Sequence, residues 1–206
     1  MPRSKTFEPQ ETLRAAMHLF WARGFGQTSI DELVRSTGVQ RYGLYSSFGG
    51  KQGLFRRSLD LYRDEVAGRW MTPLRRPHAS LQQVRAFFEQ FGEQIGRPQG
   101  RLGCLMVVTS AETAPLETAT RKRISMHFEQ LQAALAAALD RAAALGELRA
   151  NLDVQQTAAL LLGALIGLLS LMRSPAPRDL VLHSLRGALH LIDELRQPGA
   201  RDPSIR

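Results

Sequence analysis

Apolar residues recur three and four positions apart along nearly the whole chain, and sustained period-two alternation is missing. That pattern predicts an all-α protein. A first helix is expected over 9–23, with Leu13, Met17 and Phe20 on one face and Gly24 ending it. Two short helices are expected within 28–48, and a fourth over 51–70 that carries Leu54, Phe55, Leu59 and Tyr62 at core spacing. Pro73 and Pro77 break the fourth helix, which makes 72–79 the expected boundary between an N-terminal domain (1–55, continued by helix four) and a C-terminal one (56–206).

The second half continues in the same period. Ser80 caps a fifth helix with Leu81, Val84, Phe87, Phe88, Phe91 and Ile95 on its apolar face. A loop at 97–100 precedes a short apolar helix over 104–108, and a long helix over 115–145 follows, ended by Gly146. An eighth helix starts at Asp153 and ends at the Ser174-Pro175-Ala176-Pro177 run; a ninth over 178–196 stacks Leu182, Leu185, Leu189 and Ile192. The apolar run 158–172 is shorter than the ~20 residues that span a bilayer, and is read as a buried helix.

The pair within 28–48 is the most informative segment. Thr28 is placed to cap a helix, with Asp31 three residues on as the capping-box acid. Ile30, Leu33 and Val34 form one buried face, Gly38 makes the turn, and Val39, Leu44 and Phe48 supply the apolar stripe of the second helix. The opposite face of that helix carries Gln40, Arg41, Tyr42, Tyr45 and Ser46, side chains able to reach base edges or phosphates. Helix, glycine turn, helix also describes a corner of many bundles, and charge separates the two readings. Residues 1–57 hold nine Lys/Arg against four acids, so this quarter carries +5 of the chain's +8. Such a concentration of positive charge is the footprint of phosphate binding.

In order and spacing, the Leu-Phe-Trp-Ala-Arg-Gly-Phe end of the first helix, Thr-Ser-Ile-Asp-Glu-Leu, Thr-Gly-Val, Leu-Tyr-Ser-Ser-Phe-Gly-Gly-Lys and Leu-Phe resemble the N-terminal domain of the TetR family of bacterial transcriptional regulators. The resemblance implies a three-helix helix-turn-helix domain joined through helix four to a helical ligand-binding and dimerisation domain. It implies phosphate contacts from Thr28, Ser29 and Lys51, base-facing positions at Arg41, Tyr42 and Gly43, and groove or phosphate contacts from Tyr45 and Ser46. Gln40, Gly43, Ser47 and Gly50 depart from the residues common there. Arg41 is the residue expected to read a base directly, since guanidinium meets guanine in a bidentate way.

The eighth helix is apolar nearly all round and places Gly163 and Gly167 four residues apart, which lets another helix backbone approach closely. Packing within one chain and a subunit seam both satisfy that geometry. The resemblance implies the seam, formed by the last two long helices through Ala159, Gly163, Ile166 and Gly167 with Leu182, Leu185 and Leu189. It further implies a small-molecule effector cavity, for which Phe87, Phe88, Phe91, Met106, Met126, His127 and Phe128 are the candidate lining, although each also fits a plain core position.

Cys104 is the sole cysteine, which rules out an internal disulfide and, flanked by apolar residues, reads as a small inert hydrophobe. Residues 1–10 contain Arg3 and Lys5 and no apolar run, so no secretory signal and a cytoplasmic location are expected. The five histidines fall in no metal-binding spacing, and no nucleophile elbow, phosphate loop or paired catalytic carboxylate is visible. No cofactor, metal or enzymatic activity is therefore expected. The expected function is sequence-specific binding of double-stranded operator DNA by a homodimer, relieved by a small effector. A ligand-independent DNA-binding protein and a helical enzyme or carrier are the competing readings.

Overall fold

The computed structural model describes residues 7–112 and 115–198; Arg3 and Lys5, and most of the segment read for a signal, lie outside them. The chain is helical, with α1 Pro9–Arg23, α2 Ile30–Thr37, α3 Arg41–Phe48, α4 Gly50–Tyr62, α5 Gly68–Trp70, α6 Thr72–Arg75, α7 Leu81–Gly92, α8 Leu105–Ser110, α9 Thr118–Ala144, α10 Val154–Arg173 and α11 Arg178–Glu194. A single isolated bridge, Leu148 with Arg196, is the only extended pairing among the described residues. Contacts divide the chain into two compact units: residues up to Gly68 with Cys104–His127, and Arg69–Gly103 with the residues from Phe128 onward.

The first unit is built on α1 and α4. Ala16, Met17, Phe20 and Trp21 of α1 meet Leu54, Phe55, Leu59 and Tyr62 of α4 in a core from which all eight side chains exclude water. Phe20 and Phe55 lie edge to face with centroids 4.8 Å apart, and Trp21 and Tyr62 do the same at 4.9 Å. Each fully buried side chain of this size stabilises by about 1.5–3 kcal/mol. Leu33, Leu44 and Phe48 fasten α2 and α3 onto this core.

Three local features differ from the sequence expectations. The helix-two cap is Ser29, not Thr28: the Ser29 hydroxyl accepts from the Glu32 amide at 3.2 Å, and the Glu32 carboxylate accepts from the Ser29 amide at 2.8 Å. Glu32 reaches back where the shorter Asp31 is one position early, so the complete capping box sits one residue later. Thr28 is instead 1 % exposed and donates its hydroxyl to the Gly24 carbonyl at 2.7 Å. The fourth helix is not regular to Trp70, because Arg63–Ala67 is a π-helical turn. The helical run ends at Trp70 ahead of Pro73 as expected, but Pro73 then occupies the first turn of the short α6, where a proline lacks only an amide that would have no acceptor within α6.

Residues of α8 and the start of α9 belong to the same unit. Arg123 grips Asp60 of α4 with two donors, Nε to Oδ1 at 3.0 Å and Nη2 to Oδ2 at 3.0 Å, and Arg56 of α4 donates to Glu117 at 2.6 Å. Glu112, just past α8, accepts from the amides of Phe25 at 2.6 Å and Gly26 at 2.7 Å, which clamps the loop between α1 and α2.

In the second unit α7 is packed by α6 and α11, and α11 by α10. Phe87, Phe88 and Phe91 are buried and stack edge to face, with Trp70 against Phe91 at 5.3 Å. Asp153 caps α10, its carboxylate accepting from the Gln156 amide at 3.0 Å. At 20 residues α10 is long and apolar enough to cross a membrane by length and composition, longer than the 15-residue run read from the sequence. Seven of its side chains are buried within the unit, from Ala158 to Met172.

Candidate nucleic-acid interface

Two helices of eight residues each, joined by Gly38 in a left-handed conformation, form a corner whose inner side is apolar and whose outer side is not. Leu44 and Phe48 point inward from α3; on its other side Tyr42 is 83 % and Tyr45 54 % exposed, with Gln40, Arg41 and Ser46 also exposed. The sequence-predicted face is thus brought together on one helix surface. Gly43 differs, because a Cβ there would point at Val39 and Phe7, so this position offers backbone only.

Arg41 is held by Asp31 of α2, guanidinium to carboxylate at 2.6 Å, and this pairing raises its pKa further. The capping carboxylate of Glu32 also pairs with Arg23; hydrogen bonds from Ser29 hold it below its ordinary pKa. Ser29 is exposed at the α2 N-terminus, whereas Thr28 is turned inward, so Thr28 offers an outside ligand little beyond its main chain. Lys51 sits in the first turn of α4 with its ammonium 4.2 Å over the Phe25 ring, and partial burial lowers its pKa. Tyr45 lies over Gly50, where a Cβ would be 2.8 Å from the ring and where φ is +76°. Only glycine meets both conditions.

Asp31, Phe25 and Glu112 are absent from the residues read from sequence as functional. Asp31 was visible only as a capping acid. For Glu112 no local signal exists, since it acts on amides 86 and 87 positions away.

The other candidate residues are spread over both units. Met106 and His127 are buried and Met126 is exposed in the first unit, while Phe87, Phe88 and Phe91 are buried and Phe128 is half-buried in the second. Burial, with Arg63 nearby, pushes the pKa of His127 down to about 4. Its Nε2 lies 3.9 Å from Cys104 Sγ, and burial raises the thiol pKa, which keeps Cys104 a protonated, poorly nucleophilic group. On α10, Ala159, Leu160, Gly163 and Gly167 are exposed and Ile166 is half-buried; on α11, Leu182 and Leu189 are half-buried. Leu185 is buried on the side of α7, close to Gly92, and Leu180 and Leu191 are the exposed large apolar residues of α11. Among the described residues no group of three or more His, Cys, Asp or Glu is placed to hold a metal.

A capped helix pair displaying a basic and aromatic face defines a helix-turn-helix DNA-binding regulator. Residues 13–57 match the family model described as bacterial regulatory proteins, tetR family, and residues 80–185 match the tetracyclin repressor-like C-terminal domain; the chain belongs to the TetR family. It is 28% identical over 198 residues to the HTH-type transcriptional repressor ComR of Escherichia coli (strain K12), covering 94% of this chain and 92% of that one. Among solved structures it is similar to a cysteine mutant of the TetR family regulator CifR complexed with a 26 bp operator DNA, with a TM-score of 0.80, 26% identity and coverage of 91% and 98% of the two chains. The reduced form of E. coli NemR shares the fold, with a TM-score of 0.79, 21% identity and coverage of 93% and 98%.

Proposed function

We propose that the protein is a cytoplasmic repressor that binds a palindromic operator as a homodimer and leaves it when a small molecule binds the second unit. The observation that carries the DNA-binding half is the α3 surface: Tyr42 and Tyr45 stand in water beside Arg41 while Leu44 and Phe48 anchor the helix behind them. Exposed tyrosines beside a guanidinium can reach base edges and phosphates, and this helix width suits a major groove. Two such helices, one per subunit, would enter successive grooves about 34–36 Å apart.

The dimer reading is supported by the α10 face, where Gly163 and Gly167 have open space beyond them and Leu160 is 62 % exposed. An apolar stripe with two bare backbone positions suits a second copy of the same helix. Effector coupling of about 1–3 kcal/mol, the usual allosteric range, would lower operator affinity 5–150-fold.

Fluorescence anisotropy on the DNA flanking its own gene, against a scrambled duplex of equal length, tests the proposal. Preference for the native sequence with a steep salt dependence is expected. Equal affinity for both duplexes would favour a sequence-independent architectural protein, and no binding to either would end the reading.

A further inference from the structure

A cavity of about 520 Å³ opens in the second unit where α10 ends and α11 begins. Its walls include Arg101, Arg173 and Arg178, and no Asp or Glu among the described residues lines it. Its inner wall is apolar, from Ile95, Met172 and Val181, all of them buried. We propose that this cavity is a binding site for an organic anion with a compact apolar body, such as a medium-chain or aryl carboxylate.

The three arginines are held differently. Arg173 is tied into the wall, its Nη1 donating to the Leu102 carbonyl at 3.2 Å. Arg178, the first residue of α11, lies back over Gly96, with its Nε 3.4 Å from where a Cβ would stand; Gly96 has φ +92° and leaves that space open. Arg101 and Arg178 are exposed and make no ion pair with any described residue, whereas Arg85, Arg149 and six other arginines among the described residues do. A protein surface normally intersperses both signs. Arg101 and Arg178 on one concave wall, with no carboxylate among the described residues lining it, leave a positive potential that an anion would neutralise, and guanidinium is the fork that binds carboxylate in a bidentate way. The volume lies within the ~300–1,000 Å³ of small-molecule sites, and an apolar wall with a few convergent polar groups is their usual make-up. A free inorganic anion would leave the apolar wall wet, so an amphipathic anion fits better.

This inference goes beyond operator binding and is tested without DNA. Isothermal titration calorimetry on the full chain would use sodium octanoate, phenylacetate, 1-octanol and inorganic phosphate as probes. At least one of the two carboxylates is expected to bind saturably with one site per chain, 1-octanol and phosphate at least tenfold more weakly. The Arg101→Ala/Arg178→Ala double variant, in which two exposed side chains are shortened, is expected to keep its melting temperature and lose at least tenfold in carboxylate affinity. Arg178→Lys should fall between them, retaining charge but not the fork. Absence of saturable binding by both carboxylates, affinity unchanged in the double variant, or 1-octanol binding as tightly as octanoate would each overturn the proposal. Operator anisotropy on the same samples reports the proposed function separately: intact DNA binding with no carboxylate binding sinks only this site.

Discussion

Asp31 in the first turn of α2 holds Arg41, the first residue of α3, through a 2.6 Å ion pair that bridges the two halves of the helix-turn-helix. Both side chains are more than half exposed, so solvent screens the pair and it adds little to folding. We propose that its consequence is for recognition: the carboxylate that orients Arg41 would compete with a base for it. Asp31→Asn should leave the melting temperature nearly unchanged, tighten binding to scrambled DNA by removing a negative charge, and narrow the gap between operator and scrambled duplex. Arg41→Ala should cost about 1–3 kcal/mol at the operator and relax preference at one base position. Anisotropy with a set of single-base operator variants reads both; a gap unchanged in both mutants would remove Arg41 from base readout.

Lys51 offers a contrasting case. Its ammonium rests on the Phe25 ring at the start of α4, where we propose that it meets a phosphate and not a base. Lys51→Ala should weaken operator and scrambled DNA alike and reduce the slope of log affinity against log salt by about 0.9 for each phosphate no longer neutralised. A sequence-dependent loss would place the side chain in a groove instead.

The exposed glycines of α10 make a prediction about assembly. Because, beyond the neighbouring backbone of α10 itself, no atom of the described residues lies within 4 Å of a Cβ added at Gly163 or Gly167, a larger residue there leaves the single chain unstrained. Gly163→Leu or Gly167→Leu should therefore preserve helicity and shift sedimentation from dimer toward monomer, with overpacking of about 1–3 kcal/mol at each substituted position. Sedimentation identical to wild type would move the seam elsewhere.

His127 links acidity to stability. Its pKa of about 4 in the folded chain lies below the 6.5 of an unhindered histidine, so between those values the unfolded chain binds the proton and the folded chain does not. Stability is then complete above pH 6.5 and falls as pH drops toward 4, by up to about 3 kcal/mol at 1.36 kcal/mol per unit. Urea midpoints measured from pH 7.5 to 4.5 should fall less steeply in His127→Gln. Parallel curves for the two proteins would remove His127 as the cause.

Much of this architecture is legible in the sequence because it is written in local terms. The 9–23 helix, the turn at Gly38, the Leu44/Phe48 stripe and the cap at Asp153 each depend on residues within one or two turns, and each stands where the pattern puts it. Thr28 shows the limit: two hydroxyl residues in succession, each followed three positions later by an acid, give two possible caps, and burial of Thr28 selects between them. The π turn at Arg63–Ala67 contains no proline or glycine to announce it. The Arg123–Asp60 fork and the Glu112 clamp join positions 63 to 87 apart and belong to tertiary packing alone. The rim of arginines at the α10–α11 corner is likewise scattered over 77 positions, from Arg101 to Arg178.

The corner between α3 and α4 has a mechanical meaning. A Cβ at Gly53 would stand 1.8 Å from the Phe48 carbonyl oxygen, so the two backbones touch directly and not even a methyl group separates them. Side chains can repack around a change of angle; abutting main chains cannot. This close approach couples α3 to the first turns of α4, so a rotation of α4 is expected to carry the recognition helix with it. Since Arg56 and Asp60 of that same helix are the residues gripped by Glu117 and Arg123, a displacement of the α9 start is expected to reach α3 through α4.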